Sequence, residues 1–216
     1  MSNTTECIVV DYGIGNVFSV MQALRKCGVN PTLTADPDKL RKADRVILPG
    51  VGAFKNGMQG LVDNDLIEPI REFATSGKPL LGICLGMQLF GTKSLEFGEQ
   101  EGLNIIPGRT ERIPHLKEDG TNRTIPFIGW REIKVIQQPS FGPSILDMPL
   151  QDGAGYLVHS FQFVADKKEN LLATYEYEGT TITAAIRKDN ITGVQFHPEK
   201  SAKTGLRVIN AFISLS

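Results

Sequence analysis

The sequence has little of what would mark a disulfide-stapled, membrane-spanning or nucleic-acid-binding chain. Its three cysteines, Cys7, Cys27 and Cys84, are odd in number and widely spaced. That excludes a disulfide scaffold, and no Cys/His spacing resembles a zinc site. No apolar run reaches the length of about eighteen residues that a membrane-spanning helix needs. No Lys/Arg cluster stands out, and the formal net charge is −1. Binding to phosphate backbones needs a basic footprint, so nucleic acid is not an expected partner. Residues 1–6 are short and polar before a strand-like run begins, which leaves no room for a signal peptide. Together these absences point to a reducing, cytoplasmic setting. What is present, 41% hydrophobic and 22% charged residues in a chain of 216, suits one globular domain over 1–216 with a sizeable core.

The first half alternates short apolar runs with helical patterns. Residues 7–10 read as a buried strand, stopped by Asp11-Tyr12-Gly13-Ile14-Gly15-Asn16. Val17, Val20, Met21 and Leu24 then fall at i, i+3, i+4 and i+7, predicting a helix that Gly28 stops. Residues 31–34 predict a second strand, 36–42 a short helix, and 45–48 a third strand ending at Pro49-Gly50-Val51-Gly52. Leu61, Leu66, Ile70 and Phe73 predict one helical stretch running to Gly77. A fourth strand, 79–83, runs into Cys84, with a helix over 85–90 beyond it. In the second half, 129–136, 156–164 and 171–178 read as extended, and 181–187 and 191–196 as a hairpin around Lys188-Asp189-Asn190. Leu206, Ile209 and Ile213 mark a last helix. The expected fold is α/β: a single domain with a mostly parallel, mixed central sheet flanked by helices, flavodoxin-like.

The chemistry concentrates at Leu81-Gly82-Ile83-Cys84-Leu85-Gly86-Met87-Gln88, between a strand and a helix. Glycines two residues either side of a nucleophile make an elbow, because the sharp turn crowds the backbone on both sides. The turn lifts the sulfur to the C-terminal edge of the sheet, where ligands bind in open α/β folds. It also sets the thiol at a helix N-terminus, which favours the thiolate. Most free cysteines are inert core, and Cys7 and Cys27, in apolar contexts, are read that way.

A thiol nucleophile needs a base. Of His115, His159 and His197, the last follows an apolar strand and precedes Pro198-Glu199. Pro198 is expected to keep the segment extended, so that Glu199, two residues on, reaches the ring and fixes its tautomer. Attack on an amide also creates an oxyanion. The backbone N–H of Leu85 is one candidate donor, and the Pro49-Gly50-Val51-Gly52 loop can supply another. Asp11 to Asn16 hints at a dinucleotide fingerprint, but Phe18 stands where a third glycine belongs.

The elbow and Phe196-His197-Pro198-Glu199 resemble those of class I (triad) glutamine amidotransferases. Within that class the likeness is to the glutaminase subunits of imidazole glycerol phosphate synthase. It takes in Asp11-Tyr12-Gly13 with Gly15, Asn16 and Ser19, then residues 48–54, Gly129-Trp130, residues 156–160, and residues 195–201 with Gly205-Leu206. The resemblance implies that Cys84 attacks the side-chain amide of glutamine and that His197, oriented by Glu199, serves the leaving ammonia. It implies that Gln88, with backbone near Gly52 and Val51 and near His159-Ser160, holds the substrate. It implies no cofactor and no metal. The expected partner is a HisF-like (β/α)8-barrel cyclase subunit in a heterodimer, with Asn16, Trp130, Tyr156 and Lys200 at the interface or gate. The oxyanion loop would stay inactive until that partner binds its own substrate.

One departure stands out: Arg131 follows Gly-Trp where the family has Asn. If Trp130 faces the partner, Arg131 is expected beside the same interface, opposite an acidic residue. That raises a second reading, a paralogue feeding ammonia to a cyclase-like barrel for sugar amidation in surface-polysaccharide synthesis. A third, a binding module with a vestigial triad, conflicts with three intact members.

Overall fold

In the computed structural model, residues 6–136, 144–146 and 153–215 are described. Every residue of the first strand, Cys7–Val10 (β1), is buried, and its pleat divides the core in two. Cys7 and Val9 face a cluster that includes Leu24, Val208 and Phe212. Ile8 and Val10 face the opposite cluster, with Leu40, Leu61, Ile70 and Leu89. A strand covered on both faces has no solvent side, which is why it reads as a continuous apolar run.

The elements then follow in the expected alternation: helix Val17–Lys26 (α1), strand Thr32–Thr34 (β2), helix Pro37–Lys42 (α2) and strand Arg45–Leu48 (β3). Asp36 caps α2 by accepting from the backbone N–H groups of Asp38 and Lys39, with Pro37 in the first turn. The single helical stretch expected before Gly77 is two helices, Phe54–Asp63 (α3) and Ile67–Thr75 (α4). Asp65 between them has φ +55°, a left-handed conformation that a right-handed helix cannot pass through. Strand Leu80–Ile83 (β4) and helix Leu85–Leu89 (α5) complete this half.

Three short strands then appear that the sequence does not announce: Lys93–Ser94 (β5), Gln100–Glu101 (β6) and Gly108–Arg112 (β7). They are too short and too polar to show a period of two. Beyond them lie Phe127–Glu132 (β8), Lys134–Val135 (β9), Ala154–His159 (β10), Phe161–Ala165 (β11), Leu171–Tyr177 (β12), Thr180–Lys188 (β13), Ile191–Val194 (β14) and the last helix, Ala202–Ile213 (α6).

The central sheet has the order β2-β1-β3-β4-β14-β13-β12-β9. Its first five strands are parallel, and the pairs from β14 to β9 are antiparallel. The fold is thus one α/β domain with a mixed sheet and helices on both faces. The extended stretch expected over 156–164 breaks at Ser160: β10 pairs with β8, while β11 joins β7, β5 and β6 in a second sheet.

The β8 strand corrects the expectation for Arg131. Successive side chains of a strand point to opposite faces. Trp130 is exposed on one face, and Arg131 turns to the other, where its guanidinium lies 4.6 Å over the Phe127 ring and 5.5 Å from the Tyr177 ring. Its Nη1 donates to the Trp130 carbonyl at 2.9 Å. Arg131 is therefore a packing residue on an aromatic cluster. Arg131→Asn is expected to lower stability by about 1 kcal/mol, the size of a partly desolvated cation–π contact. Thermal unfolding measures that loss.

Candidate active site

Cys84 sits at the end of β4 with φ +54° and ψ −109°, a strained conformation for a residue with a Cβ. Its N–H donates to the Val194 carbonyl at 2.8 Å, tying the turn to β14, and its own carbonyl accepts from Met87 and Gln88 to open α5. The glycines are required by contact. A Cβ on Gly82 would stand 2.5 Å from the Phe90 ring, and one on Gly86 would collide with the Leu48 carbonyl oxygen. The close approach of α5 to β3 forms the elbow, and it leaves the residue carrying the sulfur 7% exposed.

His197 lies just past β14, the neighbour of β4, so the sheet order itself brings base and nucleophile together. Its Nδ1 is 2.8 Å from Glu199 Oε1, and the Cys84 sulfur is its other hydrogen-bonding and charge partner. Burial alone would push the imidazole down. The Cys84 and Glu199 hydrogen bonds and charges outweigh burial and raise it from 6.5 to about 10. The resulting assembly favours an imidazolium beside Glu199 and the Cys84 sulfur. The segment after His197 is not extended as expected: Pro198–Lys200 is a 3-10 turn, with proline in its first position. His197 itself stays extended, as the residue before a proline does, and the turn swings Glu199 back under the ring. Ser201 Oγ donates to the His197 carbonyl at 2.6 Å and accepts from the Tyr156 N–H at 2.9 Å, while the His197 N–H donates to the Tyr156 carbonyl.

The Pro49-Gly50-Val51-Gly52 loop packs directly on the elbow. A Cβ on Gly50 would lie 2.7 Å from the Tyr12 hydroxyl and 2.8 Å from the Gly86 nitrogen, and that hydroxyl donates to the Pro49 carbonyl at 2.6 Å. Val51 is on the surface, and Gly52 has φ +96°. The N–H of Leu85 opens α5, a position with no acceptor inside the helix. Glu96, which sequence reasoning missed, accepts from the Phe54 N–H at 2.8 Å and so pins the far end of this loop. No local pattern marks it, since it lies 42 residues away between two short polar strands.

Gln88 is buried, with Nε2 donating to the Phe161 carbonyl at 3.0 Å and to Gln195 Oε1 at 2.9 Å. The segment before Ser160 passes beside the nucleophile, with the Val158 carbonyl 4.0 Å from the sulfur. The His159 ring is turned inward: Nδ1 donates to the Phe161 carbonyl at 2.7 Å, and the Tyr175 hydroxyl donates to Nε2 at 2.8 Å. Burial, chiefly, lowers it to about 4, so it is neutral at ordinary pH. Of His159-Ser160, then, the His159 ring is committed inside the protein.

Among the gate candidates, Trp130 and Tyr156 face each other across β8 and β10 with ring centroids 5.8 Å apart. Lys200 is exposed at the end of the 3-10 turn. Asn16 precedes α1 without capping it, next to Gly15, which lies against Pro49. Among the described residues, no three His, Cys, Asp or Glu side chains are grouped to hold a metal ion, and no helix is long and apolar enough to cross a membrane.

A strained cysteine elbow, with a carboxylate-bonded histidine just past the next parallel strand, has the parts that a cysteine nucleophile site requires. The sequence model of "Glutamine amidotransferase class-I" matches residues 8–214, and the chain belongs to that family. Within it, the chain groups with HisH subunits. It is 43% identical over 209 residues to "Imidazole glycerol phosphate synthase subunit HisH 1" of Legionella pneumophila, covering 96% of this chain and 98% of the relative. It is 41% identical over 210 residues to subunit HisH of Geobacter sulfurreducens, with the same coverage. Among solved structures, PurLQS of Thermotoga maritima superposes with a TM-score of 0.70 at 21% identity, over 97% of this chain and 98% of that one. At that identity the likeness concerns the fold.

Proposed function

We propose that the protein is the glutaminase subunit of imidazole glycerol phosphate synthase, acting in the cytoplasm as one catalytic domain over 1–216. The Cys84 sulfur attacks the carboxamide carbon of glutamine, and the His197 imidazolium gives its proton to the departing ammonia. A glutamyl thioester remains. Water then attacks it, His197 takes the water's proton, and glutamate leaves as the sulfur is regenerated. N–H groups of Leu85 and of the Val51–Gly52 loop receive the oxyanion in both steps. Gln88 and the backbone at His159-Ser160 receive the substrate's α-amino and carboxylate groups. Ammonia passes to a cyclase subunit, a (β/α)8 barrel docked in a heterodimer over Asn16, Trp130, Tyr156 and Lys200. Enclosed transfer keeps ammonia from being protonated in bulk water.

The observation that carries this reading is the His197 ring held between Cys84 and Glu199 at the C-terminal edge of the parallel strands. The histidine pathway is supported by the full-length relatives named HisH. The sugar-amidating alternative rested on Arg131 standing where the family has Asn, and Arg131 packs on the Phe127 and Tyr177 rings, on the strand face opposite Trp130. The test is growth without histidine of a strain that lacks its own histidine-pathway glutaminase. Expression of this chain is expected to restore growth with the resident cyclase as partner. Soluble protein that fails to restore it would overturn the pathway assignment.

A further inference from the structure

Gln195 is fully buried between the apolar Val194 and Phe196, and its side chain reaches the nucleophile. Its Nε2 is 3.5 Å from the Cys84 sulfur, and its Oε1 accepts from Gln88 Nε2 at 2.9 Å. One carbonyl fixes the direction of both amides. The Phe161 oxygen can only accept, and it meets Gln88 Nε2 at 3.0 Å. The second N–H of that nitrogen then points to Gln195, which must answer with its oxygen. The Gln195 nitrogen is left facing the sulfur. Rotating either amide by half a turn would set oxygen against oxygen or nitrogen against nitrogen in a buried site, a costly mismatch. The same Phe161 carbonyl also accepts from His159 Nδ1, whose other nitrogen receives the Tyr175 hydroxyl. A chain of oriented donors thus runs from Tyr175 to the edge of the nucleophile.

We propose that Gln195 is a catalytic residue, a neutral N–H donor to the Cys84 sulfur, held in direction by Gln88 and Phe161 as positioning groups. This rests on the reading of Cys84 as nucleophile. The imidazolium of His197 must surrender its proton to ammonia, so its own support of the sulfur is interrupted in each turnover. An amide N–H never leaves, and it stabilises the thiolate both before attack and as it departs from the thioester.

The test uses Gln195→Met, which keeps the volume without a donor, and Gln195→Glu, which keeps the shape and sets a carboxylate against the sulfur. Both are assembled with the cyclase subunit and its ligand. A hydrogen bond to a charged group is worth about a tenfold change in rate at its weaker limit. A fall in kcat of about tenfold is therefore expected for Gln195→Met, with a smaller change in KM, because Gln88 keeps its bond to Phe161. The pH midpoint for alkylation of Cys84 by iodoacetamide, followed by peptide mass, should rise by about one unit. For Gln195→Glu the rise should be larger. A packing role alone would lower the unfolding temperature and leave the alkylation midpoint in place. A folded variant of either kind with wild-type kcat and midpoint overturns the inference. If Cys84→Ala is inactive in that same experiment, only Gln195 is at fault; if Cys84→Ala still hydrolyses glutamine, the nucleophile assignment has failed instead.

Discussion

Cys84→Ala should reduce glutamate release from glutamine by a factor on the order of 10⁶, the cost of removing a triad nucleophile. The cyclase partner supplied with ammonium salts should keep its rate, because its own site is separate. No other thiol can substitute. Cys7 faces the core from β1, where burial pushes it up to about 12, and Cys27 points its sulfur to the Leu206 carbonyl. The same substitution should change a second, independent quantity. Folding favours the protonated His197, raised from 6.5 to about 10. The stability this gives is complete below pH 6.5 and is lost as pH rises through about 10. Without the sulfur, burial still opposes the charge and only Glu199 offsets it. In Cys84→Ala the His197 titration midpoint, followed by NMR, should therefore fall, and the stability tied to it should be lost at a lower pH. Measurable glutaminase activity in this variant would refute the nucleophile, and an unmoved His197 midpoint would refute the influence of the Cys84 sulfur on His197.

The proposed triad was legible in the sequence because each member sits in a local pattern with a mechanical cause. Gly82 and Gly86 bracket a turn that no larger residue fits, and Pro198 fixes the backbone between His197 and Glu199. The parallel strands were legible because β1, β3 and β4 are buried on both faces and read as unbroken apolar runs. What stayed hidden depends on contacts across the chain. Glu96 reaches the Phe54 N–H from a segment with no period, and Gln195 reveals its role only when Gln88 and Phe161 are seen beside it. A buried glutamine between Val194 and Phe196 was the available signal, since a polar side chain in such a run must find partners. Arg131 was misplaced for a simpler reason: its neighbour Trp130 was taken as a guide to its direction, and neighbours on a strand point opposite ways. Glu199 met His197 as expected, though by a 3-10 turn where an extended segment was anticipated. Pairs two residues apart can meet by either route, and sequence spacing does not separate them.

The isolated chain should be a poor glutaminase, with turnover rising by about 10² to 10³ when the cyclase subunit and its ligand are added, the value of one oxyanion donor gained. The loop that would supply this donor is anchored at both ends. Pro49 and Gly50 are fixed by the Tyr12 hydroxyl and by contact with α5, and Phe54 by Glu96. Between the anchors, Val51 is at the surface and Gly52 has φ +96° with no atom within 4 Å of where a Cβ would stand. Glycine crosses between positive and negative φ at little cost, so a peptide here can rotate without disturbing Cys84, His197 or the core. Rotation changes which group, N–H or carbonyl, the loop turns toward the substrate. A surface loop confined to the three residues between these anchors is well placed to be set by a docked partner, since contact energy of a few kcal/mol suffices to move such an equilibrium. Steady-state glutamate release, measured with and without partner and ligand, decides the matter. Full activity from the purified chain alone would mean the donor is already in place and that the partner only receives ammonia.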